Sequence, residues 1–379
     1  MPGPKGRDLE ATRSQLEGWL AAHMEGAGDV SVSGLRGPSD TGFSSDTLLF
    51  DVGFRCGAET RVESLVARIE PRGFNVFPSY DVGVQFRVMQ ALGATDVPVP
   101  RVRWLEEDER VLGAPFFVMD RVVGQVPNDS PPYAVGGWVF ELAPEERARL
   151  WWSGLEAMAR VHQLDWRRLG LAFLPGGPNG GGPNGGGPRG SAPDEGPLRQ
   201  QLREVEAYFR WGVEDTGRYP LIRRALDWLH AHAPDDEAVG LCWGDSRLAN
   251  QIFRDLECVA VIDWEMVRLG NPVQDLAWWV SLDRSFSEGL GLPRLAGLPG
   301  VPETVSRWAS LTGLDTRHFD YYRVLALLKF SAIMARIGLQ MKHYGQMPGE
   351  AVFDVDNLAS ITLASVLREV AGSAAATPA

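Results

Sequence analysis

Cysteine is scarce in this sequence: only Cys56, Cys242 and Cys258 occur in 379 residues, and no two have metal-ligand spacing. Three such residues cannot build a disulfide framework, which argues against a small disulfide-stapled secreted fold and for a reducing compartment. The cytoplasm is the expected location. Residues 1–8 carry charge, Pro and Gly but no apolar core of a secretory leader. Long hydrophobic runs are missing too. The most apolar stretch, residues 321–341, is interrupted by Arg323, Lys329 and Arg336, so it reads as an amphipathic core helix rather than a membrane span. A basic stripe is also lacking. Net charge is −12 with both signs interspersed, which leaves no electrostatic footprint for nucleic acid. Neither a membrane nor a nucleic acid is expected as a partner, and oligomeric state is left open. No repeat of solenoid length occurs.

The chain is globular in composition, 44% hydrophobic and 23% charged. Its length exceeds what one core usually supports and suits two lobes. Residues 9–24 pattern as an amphipathic helix. The runs 30–35, 47–54 and 62–69 are short, branched or alternating, and separated by Gly, Ser and Asp, as strands are. Residues 81–92 read as a helix, 97–104 as an extended entry to a strand, and 116–120 as a short apolar strand. Residues 1–118 are therefore assigned to a small sheet lobe with one inserted helix, and 119–124 to a hinge. Residues 125–370 form a mainly helical lobe, with helices at 144–164, 198–211 and 221–232, a strand–loop–strand unit at 240–263, and helices beyond. Pro144 is well placed for a first helical turn. The Gly/Pro/Asn tract at 176–190 cannot bury a core and is expected as a mobile loop. Residues 371–379 are expected as a tail. The fold class is thus α+β.

The strongest local signal is Leu241-Cys-Trp-Gly-Asp-Ser-Arg-Leu-Ala-Asn-Gln-Ile-Phe253, followed by Val259-Ala-Val-Ile-Asp-Trp-Glu265. Phosphoryl transfer needs a carboxylate that orients the acceptor hydroxyl and oxygen ligands that hold Mg²⁺ against the phosphates. A hairpin supplies both: the loop bearing Asp245 and Asn250 leads into one strand, and the return strand delivers Asp263. The spacing Asp-x-x-x-x-Asn equals that of the protein-kinase catalytic loop. The bland reading keeps these residues as turn and strand-end caps. Arg68, between Ala67 and Ile69, reads either as a phosphate ligand or as an exposed edge-strand charge. Glu265 is either support for the site or a solvated carboxylate. Arg247 is either a substrate contact or a structural ion pair. His162, on an apolar helix face, reads as a hydrogen-bonded core histidine. Trp151-Trp152 and Trp278-Trp279 read as core.

These segments resemble the aminoglycoside phosphotransferase family, in the branch related to phosphotransferase domains fused to acyl-CoA dehydrogenases. The resemblance covers most of the chain: the two motifs above, a hinge at 116–124, the first large-lobe helix at 157–166 and a Pro-x-x-Asp-Leu-Ala segment within 270–279. It implies a protein-kinase-like two-lobed fold and an ATP- and Mg²⁺-dependent transferase that phosphorylates a hydroxyl of a small molecule. It implies Asp245 as catalytic base, Asn250 and Asp263 as Mg²⁺ ligands, and the hinge backbone at Asp120 and Val122 as the reader of adenine. Asp275 resembles the buried carboxylate that pins the catalytic loop. Three departures stand out. Trp243 replaces the usual His, with altered packing expected. Arg68 replaces the phosphate-binding Lys. Gln85 replaces its helix Glu partner: either an Arg68–Gln85 hydrogen bond stands in place of the ion pair, or Gln85 is a plain surface or lobe-contact residue. The glycine loop lacks Gly-x-Gly-x-x-Gly, and Gly37, Gly42, Ser44 and Ser45 are its candidate phosphate donors. From Ser281 to the end, acidic and basic residues are equal in number. A polycationic aminoglycoside is therefore expected at best as a secondary acceptor, and a neutral or anionic hydroxyl compound, a hydroxyacyl one included, is favoured. The rival readings are a nucleotide-binding pseudokinase-like module and a carboxylate-metal hydrolase.

Overall fold

The computed structural model describes residues 7–37, 46–178, 196–235 and 238–375. The first lobe opens with α1 (Leu9–His23), capped by the Asp8 carboxylate, which accepts from Glu10 N and Ala11 N. Strands β1 (Gly28–Arg36), β2 (Asp46–Cys56) and β3 (Glu59–Ile69) follow. Next come α2 (Val82–Leu92), β4 (Val102–Glu106), the single-turn α3 (Glu109–Leu112) and β5 (Phe116–Asp120). The strands form one antiparallel sheet in the order β1-β2-β3-β5-β4. Strand alternation then decides which way β3 points its side chains. Leu65, Ala67 and Ile69 lie on the face that packs with Leu16, Trp19 and Leu20 of α1. Arg68 points to the opposite face, and its side chain is only 12% exposed. β3 runs between β2 and β5, so the edge-strand reading of Arg68 is excluded.

The second lobe holds the single-turn α4 (Trp138–Glu141), α5 (Pro144–His162), α6 (Pro197–Gly212) and α7 (Pro220–Ala231). Then come β6 (Gly240–Cys242), β7 (Gln251–Arg254), β8 (Glu257–Val261) and β9 (Arg268–Gly270). Helices α8 (Val273–Phe286), α9 (Val301–Thr312), α10 (Phe319–His343) and α11 (Leu358–Ala375) complete it. This is the α+β, two-lobed arrangement expected. β7 and β8 form the hairpin with Gln251 opposite Val261, while β6 pairs with β9, a three-residue strand with no legible signal of its own. α11 continues to Ala375, beyond the tail boundary placed at 371. Most of the Gly/Pro/Asn tract at 176–190 lies outside the described residues.

α10 differs from the single-stripe helix expected. Tyr321, Tyr322, Val324, Leu325, Ala326, Leu327 and Leu328 are all buried, so its first half is covered on every side. The reason is its central place: α6, α7, α8 and α11 all pack on it. It is long and apolar enough to cross a membrane by length and composition, yet its most apolar window is 61% buried inside the protein.

The lobes touch away from the hinge as well. The Arg336 guanidinium of α10 lies 3.6 Å from the centre of the Phe74 ring and 4.4 Å from that of Trp211, and its Nε donates to Asn75 O at 2.9 Å. Phe74 N donates to the Tyr344 hydroxyl at 2.9 Å, and Gln340 Nε2 donates to Phe74 O at 2.5 Å. Gly73 has φ +99°, and a Cβ there would stand 2.9 Å from the Tyr344 oxygen. Only glycine lets the β3–α2 connection approach so closely.

Candidate active site

β6 leads into Trp243-Gly244-Asp245. Gly244 has φ +97°, and an added Cβ would lie 2.2 Å from Met266 O, so this turn accepts no other residue without displacing the facing loop. Asp275, fully buried on the first turn of α8, anchors the turn. Its carboxylate accepts from Trp243 N at 2.6 Å, Gly244 N at 3.0 Å and His162 Nε2 at 2.9 Å. Its carbonyl accepts from the Ser246 hydroxyl at 2.8 Å. Trp308 Nε1 donates to His162 Nδ1 at 2.9 Å, which leaves Nε2 as the nitrogen carrying hydrogen toward Asp275. His162 is thus the hydrogen-bonded core histidine anticipated. Trp243, where a His was the norm, donates its indole N–H to Ile262 O at 2.9 Å. The substitution ties the Asp245 loop directly to the residue before Asp263.

Asp245 is enclosed by donors. Trp278 Nε1 donates to Oδ1 at 2.8 Å, and Asn250 Nδ2 donates to Oδ2 at 2.6 Å and to Asp245 O at 2.9 Å. With its nitrogen so engaged, Asn250 keeps Oδ1 as the free ligand atom. Arg247 Nε lies 3.1 and 3.0 Å from the two Asp245 oxygens, while its Nη1 pairs with Asp129. Burial works to lower the Arg247 pKa, but Asp129 first and then Asp245 outweigh it and hold the guanidinium above its ordinary value. Arg247 is therefore an ion-pair bridge. Neither Asp129 nor the Trp278 indole was identifiable from the sequence as part of this site.

Asp263 follows β8 with φ +62°, a left-handed backbone that Asp tolerates better than most residues. Ile262 N donates to Asn250 O at 3.0 Å, which sets the two candidate metal ligands side by side at the hairpin's open end. Across from them, Arg68 Nη2 meets Asp263 Oδ1 at 2.6 Å and Glu265 Oε2 at 3.8 Å. Burial depresses the Arg68 pKa, but the Asp263 and then the Glu265 carboxylate overcome this and raise it. Arg68 Nε is buried with no hydrogen-bond partner. The Arg68–Gln85 hydrogen bond is not formed. Gln85 is buried on the inner face of α2, while the guanidinium is turned toward a full carboxylate charge, which outcompetes a neutral amide.

At the hinge, Asp120 N is spent on Arg101 O at 2.8 Å and its carboxylate on Arg103 Nε at 2.5 Å. Val122 is half-buried just beyond β5. Gly124 presses on β7, where a Cβ would stand 2.6 Å from Phe253 O, and Gln125 exchanges two backbone hydrogen bonds with Phe253. The hinge is thereby fixed to the strand that follows Asn250. Ser44 and Ser45, with Gly42, lie outside the described residues.

Among the described residues no group of three His, Cys, Asp or Glu could by itself hold a metal. Asn250 Oδ1 and Asp263 supply two protein oxygens, which suits Mg²⁺, an ion that keeps waters and substrate phosphates in its shell. The unpartnered Arg68 Nε suits a phosphate oxygen.

The model of the "Phosphotransferase enzyme family" matches residues 48–306. Acyl-CoA dehydrogenase family member 11 of Homo sapiens is 26% identical over 330 residues, covering 84% of this chain and 38% of that protein. Probable acyl-CoA dehydrogenase IBR3 of Arabidopsis thaliana is 27% identical over 317 residues, 77% of this chain and 34% of that protein. The chain thus spans little more than a third of these relatives. Among solved structures, a candidate aminoglycoside phosphotransferase of Ralstonia eutropha is 22% identical, with TM-score 0.66 and coverage of 94% and 98% of the two chains. A thermostable mutant of aminoglycoside phosphotransferase APH(4)-Ia, in a ternary complex with AMP-PNP and hygromycin B, is 19% identical, with TM-score 0.58 and coverage of 94% and 99%. At these identities the likeness is one of fold.

Proposed function

We propose, since the chain belongs to the phosphotransferase enzyme family, that it transfers the γ-phosphoryl group of ATP to a hydroxyl of a small molecule in a Mg²⁺-dependent reaction. The observation that carries this is the convergence of Asp245, Asn250, Asp263 and Arg68 from two loops and one strand onto one side of the hinge. Asp245 accepts the hydroxyl proton, held in place by Trp278 and Asn250. Asp275 fixes the loop that delivers Asp245. Arg68 leaves Asp263 to clamp phosphate oxygens, and Asn250 Oδ1 and Asp263 hold the metal. Mg²⁺, when bound, supplies neutralisation of charge on the phosphates. Asp120 and Val122 read adenine through their backbone. The favoured acceptor is a neutral or anionic hydroxyl compound, a hydroxyacyl one included, with an aminoglycoside at best secondary. The formally neutral 281–379 segment and the acyl-CoA chemistry in the relatives' names support that preference. Three unpaired cysteines support a reducing, cytoplasmic setting.

A coupled assay with Mg²⁺ and ATP on short hydroxy acids, their thioesters and aminoglycosides tests the reading, paired with calorimetric titration of Asp263→Ala. Turnover on a hydroxy compound is expected, and the variant should lose the Mg²⁺-dependent part of ATP binding. Parent-like Mg-ATP binding by the variant would put the metal elsewhere. The Arg68–Asp263 ion pair favours one alternative, a pseudokinase-like module that binds nucleotide without efficient turnover, because both groups are spent on each other. Arg68→Ala probes its first member. ATP affinity should fall about tenfold while adenosine affinity hardly moves, because only ATP carries the charge Arg68 would meet. Equal losses for both ligands would point to a folding defect instead.

A further inference from the structure

A cleft of about 240 Å³ has walls that include Phe77, Glu204, Tyr208, Glu265, Arg268 and Lys329. The Lys329 ammonium has no hydrogen bond or ion pair with any described residue; it lies 5.0 Å from the face of the Trp278 ring. Arg268 is 93% buried by its 7% exposure, and only its Nη1 is used, on Glu204 Oε2 at 2.9 Å. Its Nε and Nη2 are buried without partners. Both carboxylates of the wall already face an arginine, Glu204 facing Arg268 and Glu265 facing Arg68 at 3.8 Å. Two cationic groups with unspent donors therefore share one cleft; the Asp275 and Asp245 carboxylates attract the Lys329 ammonium from behind the wall without reaching it as ion pairs. Burial first, and then repulsion from Arg268, pull the Lys329 pKa down to about 8. An anion between the two cations would relieve that repulsion and satisfy donors that are costly to leave buried and unmade. The same Trp278 whose face carries Lys329 donates its N–H to Asp245 Oδ1 at 2.8 Å. One indole thus separates the lysine from the proposed base.

We propose that Lys329, with Nε and Nη2 of Arg268, is the specificity-determining anion subsite of the acceptor. The accepted compound then carries a carboxylate or phosphate group a short distance from the hydroxyl that it presents to Asp245. This rests on the phosphotransferase reading, but it makes a separate claim about binding.

Two measurements test it. The first is calorimetric titration without nucleotide, using short hydroxy carboxylates, their primary amides and glycerol phosphate. The parent should bind at least one of the two anion classes about tenfold or more tightly than the amides, and which class does so names the anion. The second is the acid-to-amide ratio of kcat/KM with Mg-ATP. Lys329→Met, close in size but uncharged, should lower that ratio on the order of ten- to hundredfold, and Lys329→Arg should restore most of it. If amides bind the parent as well as both anions do, or if Lys329→Met keeps the parent's preference, the subsite is wrong. Absence of turnover on every acceptor would count against the phosphotransferase reading alone, because the nucleotide-free titration still decides the subsite.

Discussion

Asp245→Asn should lower phosphoryl transfer by about 10²–10⁴-fold, the usual span for a positioned acid–base group, while ATP binding stays near that of the parent. The reasons are local. The asparagine amide fills the same space but cannot take up the hydroxyl proton. It would also present an N–H₂ where Asp245 now accepts from Trp278 Nε1, Asn250 Nδ2 and Arg247 Nε, so one of these contacts must turn away. Single-turnover measurement of product beside nucleotide titration separates the two effects. Turnover like that of the parent would remove Asp245 from the chemistry. Loss of ATP binding in step with loss of rate would recast it as a structural residue.

Asp275→Ala should be damaging in another way. The side chain never reaches the cleft, yet Trp243 N, Gly244 N and His162 Nε2 all depend on its two oxygens. Removing the carboxylate leaves three buried donors unsatisfied and a hole in the first turn of α8. The expected cost is about 3–5 kcal/mol, a fall in Tm of roughly 5 °C for a chain of this size. Freed backbone at Trp243-Gly244 would also let Asp245 drift, and a displacement of an ångström can cost on the order of 10²-fold in rate. Thermal melts with a kcat measurement check both. Asp275→Asn is the shape-preserving comparison: its amide nitrogen would oppose one of the three donors, so it should fall between parent and Ala. A melting temperature unchanged in Asp275→Ala would show that the network contributes nothing.

Much of this arrangement was legible in the chain because its signals are local. Alternation over residues 62–69 put Arg68 on the opposite face from Ala67 and Ile69. The apolar run ending in Asp263 gave the hairpin its return strand, and the lone histidine on an apolar face gave a core role for His162. What stayed hidden depends on long-range approach. Nothing near Trp278 marks its N–H as a partner of Asp245, since a tryptophan at helical spacing reads as core and is also core here, 3% exposed. Asp129 sits in irregular chain 118 residues from Arg247. Lys329 on α10 and Arg268 on β9 are far apart in sequence and come together only in the wall of one cleft. The Arg68–Gln85 pairing failed for a physical reason. Sequence can name the acceptor on α2, but it does not reveal that a stronger one, Asp263, would stand within 2.6 Å. The helical stripe expected of residues 321–341 failed because amphipathicity presumes one wet side, and a helix enclosed by four others has little of one.

The contact of Phe74 and Asn75 with Arg336, Gln340 and Tyr344 bears on how the molecule can breathe. A body joined to another by one flexible link can swing in any direction the link permits. A body held at two separate points keeps a single rotation, about the line between them. Here the points are more than two: besides the chain at residues 121–125 and the Phe74 seat on α10, Val261 N donates to Pro98 O at 2.7 Å, and Val82, Val88, Met89, Leu92 and Phe117 of the small lobe share one apolar core with the large lobe. A body held at three or more points off one line keeps no free rotation. For the small lobe to swing, and for Arg68 to leave Asp263 by that swing, one of these contacts must open first.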